Sequence, residues 1–135
     1  MFAMDIAQLV RAALEESGCD PALLGDLDSH STIALDLHDL PSIHVSAQDG
    51  EVWLWSRLGE HNEAVLAQRA AELLRELMQG CHFTRGGQLQ LAANDGYLEL
   101  KAMVHPDCLA DGKRFSEALN GYFDALERFS ESLLR

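Results

Sequence analysis

Two cysteine–histidine pairs come first in any search of this chain for chemistry. Cys81-His82 and His105-Pro-Asp-Cys108 together offer two thiolates and two imidazoles, the ligand set of a structural zinc site. Neither pair has the usual finger spacing, and Cys81 continues the apolar stripe of a helix that ends just before it. Buried or incidental side chains are the plainer reading, and no metal is expected. Asp28, Ser29 and His30 carry the residue types of a nucleophilic triad. A triad is assembled in space, however, and neighbours in sequence are more simply turn formers. Arg85-Gly86-Gly87 could turn backbone N–H groups toward an anion, but it follows a helix where a phosphate loop would open one. Glu15, Glu16, Glu117, Asp124, Glu127 and Glu131 fall on solvated helix faces, with no two set up as acid and base. No catalytic residue and no cofactor are expected, and the chain does not read as an enzyme.

What stands out is apolar surface. In Ser42–Leu58, Asp49-Gly50 is a two-residue hairpin signal, because both residues accept a positive φ. Counting outward pairs Ala47 with Val52, Ser46 with Trp53, Val45 with Leu54 and His44 with Trp55. Strand side chains alternate, so Ile43, Val45, Ala47, Val52 and Leu54 share one apolar face. The other face should be wet, yet it carries Trp53 and Trp55 beside Ser46 and His44. Two indoles there need a cover, from a helix of the same chain or from another protein.

The other elements follow from periodicity. Asp5–Glu16 places Ile6, Leu9, Val10, Ala13 and Leu14 at helical spacing, with Gly18 as C-cap and Cys19–Ser31 as a connector. Thr32–Leu37 alternates as a strand with Ile33, Leu35 and Leu37 on one face. Asn62–Gly80 is a second helix opened by Asn62, with a stripe of Leu66, Ala70, Leu73 and Leu77 and a neighbouring one of Leu74 and Met78. Gln88–Val104 is a hairpin around Asp95-Gly96 that sets Ala93 against Leu98, Leu91 against Leu100 and Leu89 against Ala102. Gln90, Glu99 and Lys101 look outward from it. Gly112–Leu134 carries Phe115, Leu119, Tyr122, Phe123, Leu126, Phe129 and Leu133 at three-to-four spacing, as a long helix. The order α-β-β-β-α-β-β-α, with short links between strands, predicts an α+β fold: a largely antiparallel five-stranded sheet with three helices, in one domain spanning 1–135.

Composition narrows the function. The chain has 135 residues, 47% of them hydrophobic and 24% charged, as in a soluble globular domain. Its formal net charge of −12 argues against nucleic acid as a partner. Apolar runs are too short to span a bilayer, and Asp5, Gln8 and Arg11 interrupt anything resembling a signal peptide. Cys19, Cys81 and Cys108, an odd set without framework spacing, suit reduced thiols, so a cytoplasmic location without membrane insertion is expected. Two readings of the apolar surplus remain. Either helices one and three cover one sheet face while helix two covers the other, or one surplus joins two copies and the other receives a partner segment.

Across nearly its whole length the chain resembles the type III secretion chaperones, and within them the class IB invasion protein B family. The stretches that carry the likeness are DIAQLVRAALEESGCDP (Asp5–Pro21), DSHSTIALDL (Asp28–Leu37), GCHFTRGGQL (Gly80–Leu89), LKAMVHPD (Leu100–Asp107) and LNGYFDALERFSESLLR (Leu119–Arg135). The resemblance implies a homodimer that binds the N-terminal chaperone-binding region of several secreted effectors, holds it extended, and acts without ATP. The secretion ATPase would then be a separate docking partner. Ordering an unfolded segment is entropically costly, so such a protein must offer extensive apolar and backbone-pairing surface.

On that basis Ile6, Leu9, Val10 and Ala13 of the first helix are expected to line the effector groove with Ile33, Leu35, Ile43, Val45, Trp53 and Trp55 of the first sheet. Leu73, Leu77 and Met78 of the second helix, with Leu89 and Leu91 at the fourth strand, are the expected dimer contact. A small dimeric scaffold that binds no effector, or a ligand-binding or enzymatic α+β domain with a pocket between helix and sheet, would be the alternatives.

Overall fold

A computed structural model describes residues 6–18 and 32–134. Its elements run α1 (Ile6–Glu16), β1 (Ile33–Leu35), β2 (Ile43–Gln48), β3 (Glu51–Glu60), α2 (Glu63–Met78), β4 (Gln90–Asn94), β5 (Tyr97–Met103) and α3 (Gly112–Leu134). The expected order is therefore present, as one five-stranded sheet in the spatial order β1-β2-β3-β5-β4 with every pairing antiparallel. Both hairpins close on an Asp-Gly pair with positive φ at both residues, Asp49-Gly50 at 53° and 80° and Asp95-Gly96 at 52° and 79°. That backbone twist matches the twist of the strands it joins. The first hairpin keeps all four expected pairs, and the second keeps Ala93 with Leu98 and Leu91 with Leu100.

The core lies on one side of the sheet. Ile43, Val45, Val52, Leu54, Leu98, Leu100 and Ala102 point inward and are buried beneath α1 and α3. Tyr122 of α3 is fully buried, its hydroxyl donating to the Leu100 carbonyl (2.9 Å) and lying 3.0 Å from Ser56 Oγ on β3. Burial pushes that phenol well above its ordinary pKa, so it stays a neutral donor. Helix α2 does not take the opposite sheet face. It packs beside α3 through Leu73, with Leu66 and Leu77 half-buried and the Glu76–Arg128 pair (2.9 Å) across the seam. Asn62 caps it as expected, its Oδ1 accepting from the N–H groups of Ala64 and Val65.

Three details depart from expectation. β1 spans only Ile33–Leu35, leaving Leu37 beyond the strand. Ala47, expected on the apolar face, is exposed two residues before the hairpin turn. Glu99, expected to be solvated, sits on the outer face but is buried, because Arg57 lies over it with Nε 3.5 Å from Oε2.

The α1–α3 crossing depends on a missing side chain. A Cβ at Gly112 would stand 2.5 Å from Ala12 Cβ and 2.8 Å from the Ala12 backbone carbon. Gly112→Ala is therefore expected to destabilise the fold by about 1–3 kcal/mol through overpacking, although alanine is the better helix former. Urea unfolding would measure it; an unchanged midpoint would mean that α1 can shift without cost.

Candidate functional site

The outer face of the sheet, opposite α1 and α3, is covered by no described helix. Its middle strand β3 presents Trp53, Trp55 and Arg57, flanked by His44 and Ser46 on β2 and by Lys101 and Glu99 on β5. All of these except His44, with Thr32, Ala47, Gln48 and Asn94, line an open depression of about 370 Å³. Both indoles are half-buried, and each is held in place. Trp55 stacks on His44 with ring centroids 4.1 Å apart and 17° between planes, and its Nε1–H donates to Ser46 Oγ at 3.0 Å. Ser46 Oγ also lies 2.9 Å from Thr32 Oγ1 on the strand-β1 side. Trp53 carries the Lys101 ammonium 4.9 Å from its ring centroid, and Arg57 stacks 4.5 Å over Tyr97. The result is a shallow trough with fixed aromatic walls that retain open faces and edges.

Burial first, and the Arg57 charge second, push the His44 imidazole below the ordinary value of 6.5, against smaller opposing effects of Glu99 and Asp36. A lowered folded-state pKa means that protonation favours unfolding. The contribution is intact above pH 6.5 and is lost as pH falls from there through the folded-state value. A protonated imidazole against Trp55 should also quench indole fluorescence. Such an acid transition is expected with its midpoint below 6.5 and absent in His44→Gln; a midpoint at or above 6.5 would contradict the burial.

The expected groove residues divide sharply. Ile6, Leu9, Val10 and Ala13 of α1, and Ile33, Ile43 and Val45 of the first strands, are buried in the chain's own core. Leu35 is half-buried on β1, which is the sheet edge among the described strands. Trp53 and Trp55 alone of that set line the trough. The expected dimer residues also divide. Leu73 is buried against α3, Leu77, Leu89 and Leu91 are half-buried, and Met78 is 68% exposed. Leu74, 57% exposed one turn before Met78, joins it with Ala67, Ala70 and Ala71 as an open apolar stripe along α2. Sequence reasoning did not single out Lys101, Arg57 or Glu99. The place of Lys101 and Glu99 beside the indoles depends on the β3–β5 pairing, which joins strands separated by a whole helix, whereas Arg57 follows Trp55 on the same face of β3.

The other chemical candidates resolve simply. His82, His105 and Cys108 border one shallow depression, but Cys81 turns away, its Sγ 3.3 Å from Thr84 Oγ1. No group of three or more His, Cys, Asp or Glu among the described residues is arranged to hold a metal ion. Arg85-Gly86-Gly87 closes on itself, Gly87 bonding to Cys81 and Thr84, while Arg85 pairs with Glu51 at 3.2 Å. Asp28, Ser29 and His30 lie outside the described residues.

Comparison with known proteins gives the family. Residues 18–95 match the model of the Invasion protein B family. The chain is 60% identical over 132 residues to the surface presentation of antigens protein SpaK of Salmonella typhimurium (strain LT2), covering 98% of each chain. It is equally similar to the protein of the same name from Salmonella typhi. Among solved structures it resembles a chain of the heterodimeric ExoU-SpcU complex from the type III secretion system of Pseudomonas aeruginosa. That match has a TM-score of 0.59 at 23% identity and covers 92% of this chain and 93% of that one, a likeness of fold. With the family model matched over more than half its length and SpaK matched over nearly all of it, this chain belongs to the Invasion protein B family.

Proposed function

We propose that this protein is a cytoplasmic type III secretion chaperone. As a homodimer, it binds the N-terminal chaperone-binding segments of secreted effectors and keeps them extended for export. The observation that carries this reading is the outer sheet face, which no described helix covers, with its two half-buried, pre-positioned indoles. Rigid aromatic side chains bind at low entropic cost, which suits a guest that must itself be ordered on binding. Strand β1 is short and is the sheet edge among the described strands, so a guest can add strand-like hydrogen bonds beside Leu35, next to the trough. The groove thus rests on Trp53, Trp55 and Leu35, while Ile6, Leu9, Val10, Ala13, Ile33, Ile43 and Val45 support it from below. Helix α2 supplies the second surface: Leu74 and Met78, with Leu77 beside them and Leu89 and Leu91 toward β4, meet the same stripe on another copy.

Two further facts support the reading. The relatives are named for surface presentation of antigens, and the fold neighbour comes from a two-protein complex of a type III secretion system. No described helix is long and apolar enough to cross a membrane. The chain does no chemistry of its own in this scheme; the secretion ATPase acts downstream on the loaded complex.

Co-expression with the N-terminal segment of a secreted effector, followed by light scattering on the purified species, tests the proposal. A dimer carrying an extended, non-globular segment is the expected product. A chain that stays dimeric and retains no such segment would leave it a scaffold.

A further inference from the structure

We infer that the trough selects guest segments presenting a carboxylate, and that the Lys101 ammonium is the group that reads it. This rests on the trough being the guest surface, and adds what the guest must carry.

The charges lining the depression are Arg57, Lys101 and Glu99. Arg57 is matched, with Nε 3.5 Å from Glu99 Oε2 and one terminal nitrogen 3.9 Å from Asp95 Oδ2. Glu99 is opposed by that guanidinium, its side chain 4% exposed beneath it, although its Oε2 takes no hydrogen bond from a described residue. Lys101 differs: no carboxylate of a described residue lies within ion-pair distance of it, and its ammonium is held over Trp53. His44, stacked on Trp55 beside the depression, is held below its ordinary pKa of 6.5 by burial and by Arg57, against smaller opposing effects of Glu99 and Asp36, and so adds no second cation at pH 7. Among the described residues, Lys101 is therefore the lining cation with no carboxylate within ion-pair distance, and it is fixed against an indole.

The chain around it makes that charge unusual. Lys101 and Lys113 are the only lysines in a protein of net charge −12. A basic segment would be drawn to such a surface almost anywhere, with little choice of site. An acidic segment is repelled by the net charge of the chain, and within the trough Lys101 is the cation that no described carboxylate holds, so that contact turns general repulsion into selectivity. The apolar neighbours of that carboxylate would lie on Trp53 and Trp55.

A library of short random peptides displayed on phage, selected against the full-length protein, tests this. Wild-type protein is expected to enrich apolar peptides with Asp or Glu at one fixed place. Lys101→Gln should bind an enriched acidic peptide about fivefold more weakly, by a margin that shrinks with salt. Lys101→Glu should enrich Lys or Arg at that place, whereas Lys113→Gln should change nothing. Apolar enrichment without an acidic preference, or the same preference in both Lys101 variants, overturns the inference and leaves the trough as guest surface. Enriched peptides that bind Trp53→Ala/Trp55→Ala unchanged overturn the trough reading itself. Lys101→Gln preserves the β5 backbone and decides the matter should the charge reversal fail to fold.

Discussion

Leu74→Asp/Met78→Asp is expected to yield a folded monomer in place of the proposed homodimer. Both side chains are more than half exposed on α2, and neither belongs to the buried core, so the protomer loses little when they change. In the dimer they would be brought together with Ala67, Ala70 and Ala71, small residues that let two helices approach closely. A carboxylate placed in such a contact must be desolvated without a partner, at a cost of several kcal/mol. About 4 kcal/mol is a thousandfold in the dimer dissociation constant. Sedimentation or light scattering over a dilution series measures it, with circular dichroism confirming the fold. A double variant that remains dimeric would move the self-contact away from α2.

Trp53→Ala/Trp55→Ala should be the strongest lesion in guest binding. The indoles stand on the outer sheet face, and their removal leaves Val52, Leu54 and Ser56 under α1 and α3 untouched. Stability should therefore fall only modestly. Aromatic anchors at interface centres typically contribute 2 kcal/mol or more each, so the pair should weaken an effector segment roughly a hundredfold or more. Each single variant should show part of the loss, less than additively, because the indoles share one depression. Titration calorimetry with a purified N-terminal effector segment gives the numbers. Unchanged affinity in a folded, dimeric double variant would remove the indoles from the groove.

How far the sequence could be read depended on the range of the contacts. The register of the Trp-bearing hairpin was legible to the residue, because an Asp-Gly turn leaves one register, and alternation then assigned its faces, with Ala47 the residue that was placed in the core and is exposed. Helix α2's cap was legible for the same local reason. Ile6, Leu9, Val10 and Ala13 were recognised as an apolar face, but periodicity cannot say whether that face meets the chain's own core or a guest. Tyr122 and Gly112 show why the core claims it: α3 needs close contact with α1 across a residue that lacks a Cβ. Glu99 was assigned to the correct face and the wrong environment. Its burial comes from Arg57, a neighbour across a β3–β5 pairing that forms only after α2 intervenes. The same pairing sets Lys101 by Trp53, so the trough's charge was invisible while its aromatics were plain.

The chain's two tryptophans both stand in the trough, so their indole N–H signals report on that surface alone. Following them by nitrogen-15 NMR while an unlabelled effector N-terminal segment is added is the most direct test that a guest lies on the open sheet face. Both signals are expected to shift, that of Trp55 most clearly if its bond to Ser46 is disturbed. A segment that binds while both indole signals stay where they were would contradict the proposal at its root.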